Sequence, residues 1–386
     1  MKLQPAGNAI WPERAAGLLH AFIEAACQNE EIRGLLQTDP AKALYQWQWE
    51  HDNLPASLLP PAEPVSVTLD EETLWGPLKW RTQPEEAVAD FLLQPQWRLL
   101  AAGARPLALI HGDEQSLTAL GSWARSRSYF AVLGPHEFLP RDDSHKGGYS
   151  NSMEQVGSAR PGSGAWRGLL VAADEQTVLM AWLCQLFDWE TLLGRLLGYP
   201  DCCCDAFARR WPTACLHHEG DVGITLLAES KPEAGSSAGI RHLDWTVNIF
   251  ARYFGWEIIQ HFPCSWNCGA TAAMARRYFS VLSRYWPGEG EVLMQHLSAP
   301  LLIMPGRGYA LFPGARIVEE KKGTSLCYDP ERLRIVGMES ASTRLALSSG
   351  RLYSGAGEDW KIHGSEKSGW LLSIGPGLQD QQEIGK

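Results

Sequence analysis

Apolar spacing sets the first divisions of the chain. Ala15, Leu18, Leu19, Phe22, Ile23 and Ala26 recur every three or four residues, which predicts an amphipathic helix within residues 1–50. Prolines at 55, 60, 61 and 64 then interrupt any regular element. "PEEAVADFLL" (84–93) predicts a short helix, with Pro84 and two glutamates placed at its start.

From about residue 98 the pattern changes. "RPLALIHG" and "SYFAVLGP" are short apolar runs closed by glycine, and they predict buried strands. The polar, glycine-rich stretch 142–165 predicts a long loop of the kind that covers a site. "WRGLLVAADEQTVLMAWLCQLFDWETLLGRLLGYP" predicts a strand, an acidic helix start at Asp174–Glu175 and one long helix ending before Gly198. Residues 229–239 predict another loop. "IRHLDWTVNIFARYFG" then predicts a helix ending near Gly255, "WEIIQHF" a strand, "PCSWNC" a turn and "GATAAMARRYFSVLSRYW" a helix.

The tail from 299 is a run of short strand-like segments separated by glycine turns: "LLIMPGRGYALFPGARIV", "SLCYDP", "LRIVGM", "TRLALSSGRLYSG" and "GWLLSIGP". The expectation is an α+β fold with a mixed α/β core. It comprises a helical N-terminal region (1–97), a central cysteine-bearing α/β domain (98–298) and a small β-rich C-terminal domain (299–386). The last residues, "DQQEIGK", are expected to fray, and there is no internal repeat.

Composition narrows the function classes. At 386 residues and 45% hydrophobic content the chain can bury a substantial core, and its net charge of −10 supplies no basic footprint for nucleic acid or an anionic membrane. The first residues, broken by Pro5 and Pro12, lack the apolar core of a targeting peptide, and no window reaches the ~18 apolar residues of a membrane span. The expected setting is the cytoplasm, with a small-molecule partner. The 17 tryptophans are scattered along the chain and read as core and pocket fillers.

Nine cysteines change the picture. An odd number without a secretion signal speaks against a disulfide framework, and in a reducing compartment clustered cysteines point to metal or catalysis. Cys202, Cys203 and Cys204 follow Gly198-Tyr199-Pro200, and Cys264 and Cys268 lie in "HFPCSWNC". Pro200 and Asp201 suit a helix start. A second helix beginning at Ser265 or Trp266 would bring Cys264 and Cys268 to its first turn, where amides and the helix dipole favour a thiolate. Adjacent positions on a helix diverge by about 100°, so at most two of the triplet can share one ligand role.

The spacing is neither the paired C-x-x-C of zinc ribbons nor C-x-x-C-H, and the expected centre is a [4Fe–4S] cluster. The alternatives are Zn2+ held by four cysteines or by three with His261, and a metal-free thiol enzyme with Cys264 as nucleophile and His261 assisting.

These two motifs, Gly198-Tyr199-Pro200-x-Cys202-Cys203 and His261-x-Pro263-Cys264-Ser265-x-x-Cys268, resemble a family of bacterial and archaeal proteins of unknown function over roughly residues 100–300. The resemblance implies Cys202, Cys203, Cys264 and Cys268 as the motif positions, with Cys204 the extra residue, and it brings no activity with it.

Other residues support less specific expectations. His261 reads as ligand, proton donor or structural hydrogen-bonder, and Tyr199 as a phenol aimed at the site or packed on the preceding helix. Arg241, Asp244, Asn248 and Arg252, on a helix, could hold an amino-acid-like substrate or form a solvated ion-paired face. Cys27 and Cys184 read as core residues, "CLHH" (215–218) as a weak second ligand set, and Cys327 has no partner in sequence. Phosphate-loop, GxSxG, HExxH and radical-SAM spacings are absent. The expected function is a non-radical iron–sulfur enzyme performing elimination, dehydration or sulfur transfer on a small polar substrate, with a structural zinc scaffold as the rival.

Overall fold

A computed structural model describes residues 22, 28–38, 95–140, 153–158, 166–230, 240–285, 287–304, 308–320, 323–337, 347–355 and 369–375. The chain divides into two compact units: among the described residues, the first runs through Ala208 and the second from Arg209 onward. The expected helices over 84–93 and most of 1–50, most of the loop residues of 142–165 and 231–239, Cys27 and the frayed tail lie outside the described residues. Within 1–50, Glu30–Thr38 is helical (α1).

The first unit is built on a four-stranded sheet of order β1-β4-β2-β3, with every neighbouring pair antiparallel. Its strands are β1 (Leu107–Asp113), β2 (Phe130–Pro140), β3 (Met153–Ser158) and β4 (Trp166–Ala172). Side chains alternate between the faces of a strand, so Ala108, Ile110, Leu169 and Val171 meet α2 (Pro95–Ala101) and α3 (Glu114–Ser126). Leu107, Leu170 and Ala172 meet α4 (Glu175–Leu186) and residues of α5 (Glu190–Leu196) on the other face. Helices on both faces explain why β1 and β4 read as near-continuous apolar runs. β3 places a strand inside the stretch expected to be loop.

The expected long helix is two. Phe187, Asp188 and Trp189 separate α4 from α5, with Asp188 in the left-handed region (φ 55°). Gly198 (φ 80°) then ends α5, with its N–H donating to the Arg195 carbonyl and Tyr199 N–H to that of Gly194. The next helix, α6 (Asp201–His217), starts at once and runs across the boundary at Ala208.

In the second unit α7 (Val222–Glu229) follows, capped by Asp221. Residues 240–255 correct the helix expectation: Ile240–Asp244 is strand β5, and Trp245–Val247 and Ile249–Phe254 are 3-10 turns. β5 pairs parallel with β12 (Trp370–Gly375) at the edge of a sheet of order β10-β7-β6-β12-β5. The ladder takes up the stretch that spacing alone assigned to a helix. The expected end at Gly255 holds, with φ 80°. "WEIIQHF" forms no strand; Trp256, Ile258, Ile259, His261 and Phe262 are buried along an irregular stretch, so their apolar character reflects burial without a ladder.

α8 (Gly269–Tyr285) and α9 (Pro287–Leu297) follow. The tail segments form β6 (Leu301–Met304), β7 (Gly308–Leu311), β8 (Arg316–Glu320), β9 (Gly323–Cys327), β10 (Arg334–Val336), β11 (Arg351–Gly355) and β12, as their spacing predicts. They enclose a core of Leu302, Met304, Ala310, Phe312, Leu326, Leu347 and Leu371. The whole is the mixed α+β fold expected. No helix among the described residues is long and apolar enough to cross a membrane.

Candidate metal centre

Two helix starts present the thiols. At the first turn of α6 the Pro200 carbonyl accepts from the N–H groups of Cys203 (2.9 Å) and Cys204 (3.0 Å), so Pro200 is the residue just outside the helix. Cys202 is exposed and Cys203 buried, and their sulfurs lie 3.9 Å apart. The second helix, α8, begins at Gly269, later than Ser265 or Trp266. Cys268 is therefore its capping residue, and Cys264 stands in the loop before it. The Cys268 sulfur accepts from the Thr271 N–H (3.4 Å), and the Cys268 carbonyl accepts the first helical bond, from Ala272 (3.0 Å).

The Sγ atoms of Cys202, Cys203, Cys264 and Cys268 all lie within 4.8 Å of one another. Such an all-sulfur set can hold a metal ion. Both helix starts turn partial positive charge toward sulfurs that must be deprotonated to bind. None of the described cysteines is in a disulfide.

Cys204 is the member of the triplet left out, as the 100° divergence requires. Its sulfur turns back toward the Tyr199 carbonyl (3.9 Å) and Gly194, where an added Cβ would stand 2.8 Å away. Burial pushes this thiol up to about 12, so it stays protonated.

Neighbours hold the ligand-bearing segments in place. Arg210, on α6, donates to the Cys264 carbonyl (2.9 Å) and pairs with Glu229 (2.8 Å). Arg195 clamps Asp201 (2.8 Å) and Asp205 (3.4 Å) at the start of α6. Trp266, between the two cysteines of the loop, packs on Phe250 (5.9 Å between ring centroids). Phe250 belongs to an aromatic group with Tyr253 and Tyr309, whose hydroxyls both donate to the carboxylate of buried Asp221. The same carboxylate caps α7 through the Ile224 N–H (3.0 Å). Sequence reasoning missed this network and Arg210. Asp221 carried a signal, since an aspartate directly before the run "VGITLL" is a capping pattern, but nothing announced its partner Tyr309.

The remaining candidates have partners of their own. His261 is buried and hydrogen-bonded through Nε2 to the hydroxyl of Thr271 (2.9 Å), the residue whose N–H donates to the Cys268 sulfur. The Tyr199 hydroxyl accepts from Arg105 (3.3 Å), and its ring packs in the core between β4 and α5. Arg241 donates to the Ser230 carbonyl (2.7 Å), Asp244 caps Thr246 and pairs with Arg276 (3.4 Å), and Asn248 donates to the Leu297 carbonyl (2.7 Å). Arg252 is buried and donates to the Ile259 carbonyl (3.2 Å). With the segment strand and 3-10 rather than α-helix, these four do not share one helical face. Cys184 is buried in α4, and Cys215, His217 and His218 at the end of α6 are not gathered into a ligand group. Comparison with family models, with curated proteins and with solved structures found no match.

Proposed function

We propose that Cys202, Cys203, Cys264 and Cys268 hold a single zinc ion, and that this ion ties the start of α6 to the loop ahead of α8. The observation that carries the reading is the sulfur spacing. A tetrahedral ion with Zn–S bonds of ~2.3 Å sets its four sulfurs ~3.8 Å apart. The Cys202–Cys203 separation of 3.9 Å and the 4.8 Å bound on all pairs agree with that geometry. A [4Fe–4S] cube binds each thiolate to a different iron, which spreads the sulfurs further by the length of an iron–iron edge. The spacing therefore favours one ion over the cluster expected from sequence. Four thiolates fill a tetrahedral shell, as in structural zinc sites, and metal binding then adds directly to folding stability.

The second reading keeps the iron–sulfur cluster and with it a non-radical lyase or sulfur transferase acting on a small polar substrate. It draws on the exposure of Cys202. Anaerobic purification with zinc, iron and sulfide analysis separates the two. One zinc per chain in a colourless protein supports the first, and a brown protein with iron and acid-labile sulfide supports the second.

A further inference from the structure

The four thiols are not equally placed. Cys203 and Cys268 are buried, Cys264 is half-buried with its carbonyl held by Arg210, and Cys202 alone of the four is exposed. The Cys268 sulfur also accepts a backbone N–H, a bond that draws electron density away from it. A divalent ion with four thiolates keeps a net negative charge on its sulfurs, and metal coordination is one of the ways a thiolate is maintained as a nucleophile at neutral pH. A filled shell offers no open position for a substrate on the ion. Chemistry at such a centre has to run on a ligand sulfur, and of the four ligand residues Cys202 is the most exposed.

Resting on the four-thiolate reading, we propose that Cys202 is the reactive arm of the centre and accepts an alkyl group from a soft carbon electrophile. In the step the Cys202 sulfur forms a new S–C bond with its own electron pair. The bond from that carbon to its leaving group breaks, and its pair departs with the leaving group as an anion. Nothing is oxidised or reduced. The product is a thioether, and the ligand set loses one negative charge. The substrate class is a small, sterically open alkyl donor, because the neighbouring cysteines are buried or half-buried and Cys202 sits on the first turn of a helix.

The same helix supplies an internal reference. Cys215 is exposed near the other end of α6 and belongs to no ligand group. The full chain, with its metal content measured first, is treated at neutral pH with one equivalent of iodoacetamide, and the modified peptides are mapped by mass spectrometry. The expected result is carbamidomethylation of Cys202 ahead of Cys215 by about tenfold, since a metal-bound thiolate stays deprotonated at neutral pH and Cys215 belongs to no ligand group. Removing the metal with a chelator abolishes that preference. Zinc-loaded protein modified first, or equally, at Cys215 or Cys264 overturns the inference and leaves the metal reading intact. Protein that binds no metal overturns the reading beneath it, and the inference with it.

Discussion

Replacing Asp221 with alanine tests how the second unit supports the cysteine loop. Asp221 is 1% exposed, and its carboxylate caps α7 while accepting from the hydroxyls of Tyr253 and Tyr309. Loss of the cap costs about 1 kcal/mol. Each buried phenol left without its acceptor adds about 1–3 kcal/mol, discounted where water can enter the vacated space. The expected loss is about 4 kcal/mol, a fall in the thermal midpoint of roughly 10 °C for a unit of this size. Asp221→Asn keeps the oxygen that caps Ile224 but turns an NH2 toward both tyrosine O–H donors, which share the other carboxylate oxygen, and it should fall in between. Thermal unfolding followed by circular dichroism and by tryptophan fluorescence reads both variants. The fluorescence change should accompany the loss of structure, because Trp266 packs on Phe250 in the same aromatic group. A drop of less than 3 °C for Asp221→Ala would refute the reasoning, since it would mean that neither phenol depends on this carboxylate.

Three further outcomes follow from individual contacts. Arg210→Ala removes the donor that fixes the Cys264 carbonyl and is expected to weaken zinc affinity about tenfold to a hundredfold, measured by competition with a chromophoric chelator, with helix content unchanged. Gly194→Ala drives a methyl group to 2.8 Å from the Cys204 sulfur and should cost about 1–3 kcal/mol in urea unfolding. Cys204→Ala in the same chain should recover most of that loss while leaving the metal content of the protein as it was. Burial lowers the half-buried His111 imidazole to about 4, so the folded chain keeps it neutral while the unfolded chain protonates it near ~6.5. The unfolded state then binds the extra proton. Stability should be level with respect to this group above about pH 6.5 and fall as pH drops toward 4, a slope that His111→Gln reduces.

What the sequence made legible depends on whether the deciding contacts are local. The tail strands could be read because each is bounded by glycine or proline turns, and β6 to β9 pair with neighbours close in sequence. The cysteine group was legible for a similar reason: Pro200-Asp201 announces one helix start, and the angular spacing of a helix excludes one of three adjacent thiols. Residues 240–255 were not, because the recurrence of Arg241, Asp244, Asn248 and Arg252 imitates a helix face. Its outcome was decided by β12, more than a hundred residues later, which gives Ile240–Asp244 a parallel ladder. "WEIIQHF" is apolar because it is buried, a property that pattern alone cannot separate from strand formation. The break at 187–189 turns on a left-handed Asp188, a conformation that aspartate tolerates without advertising. The size of the metal site was also beyond the sequence, since the choice between one ion and a cube lies in sulfur separations.

The most direct measurement is therefore metal stoichiometry in anaerobically purified wild-type protein beside Cys203→Ser, whose ligand is buried and has no exposed substitute. The account predicts one zinc per wild-type chain, no acid-labile sulfide, and zinc reduced or lost in the variant. Iron and sulfide in near-equal amounts, or metal content that the substitution leaves untouched, would contradict it.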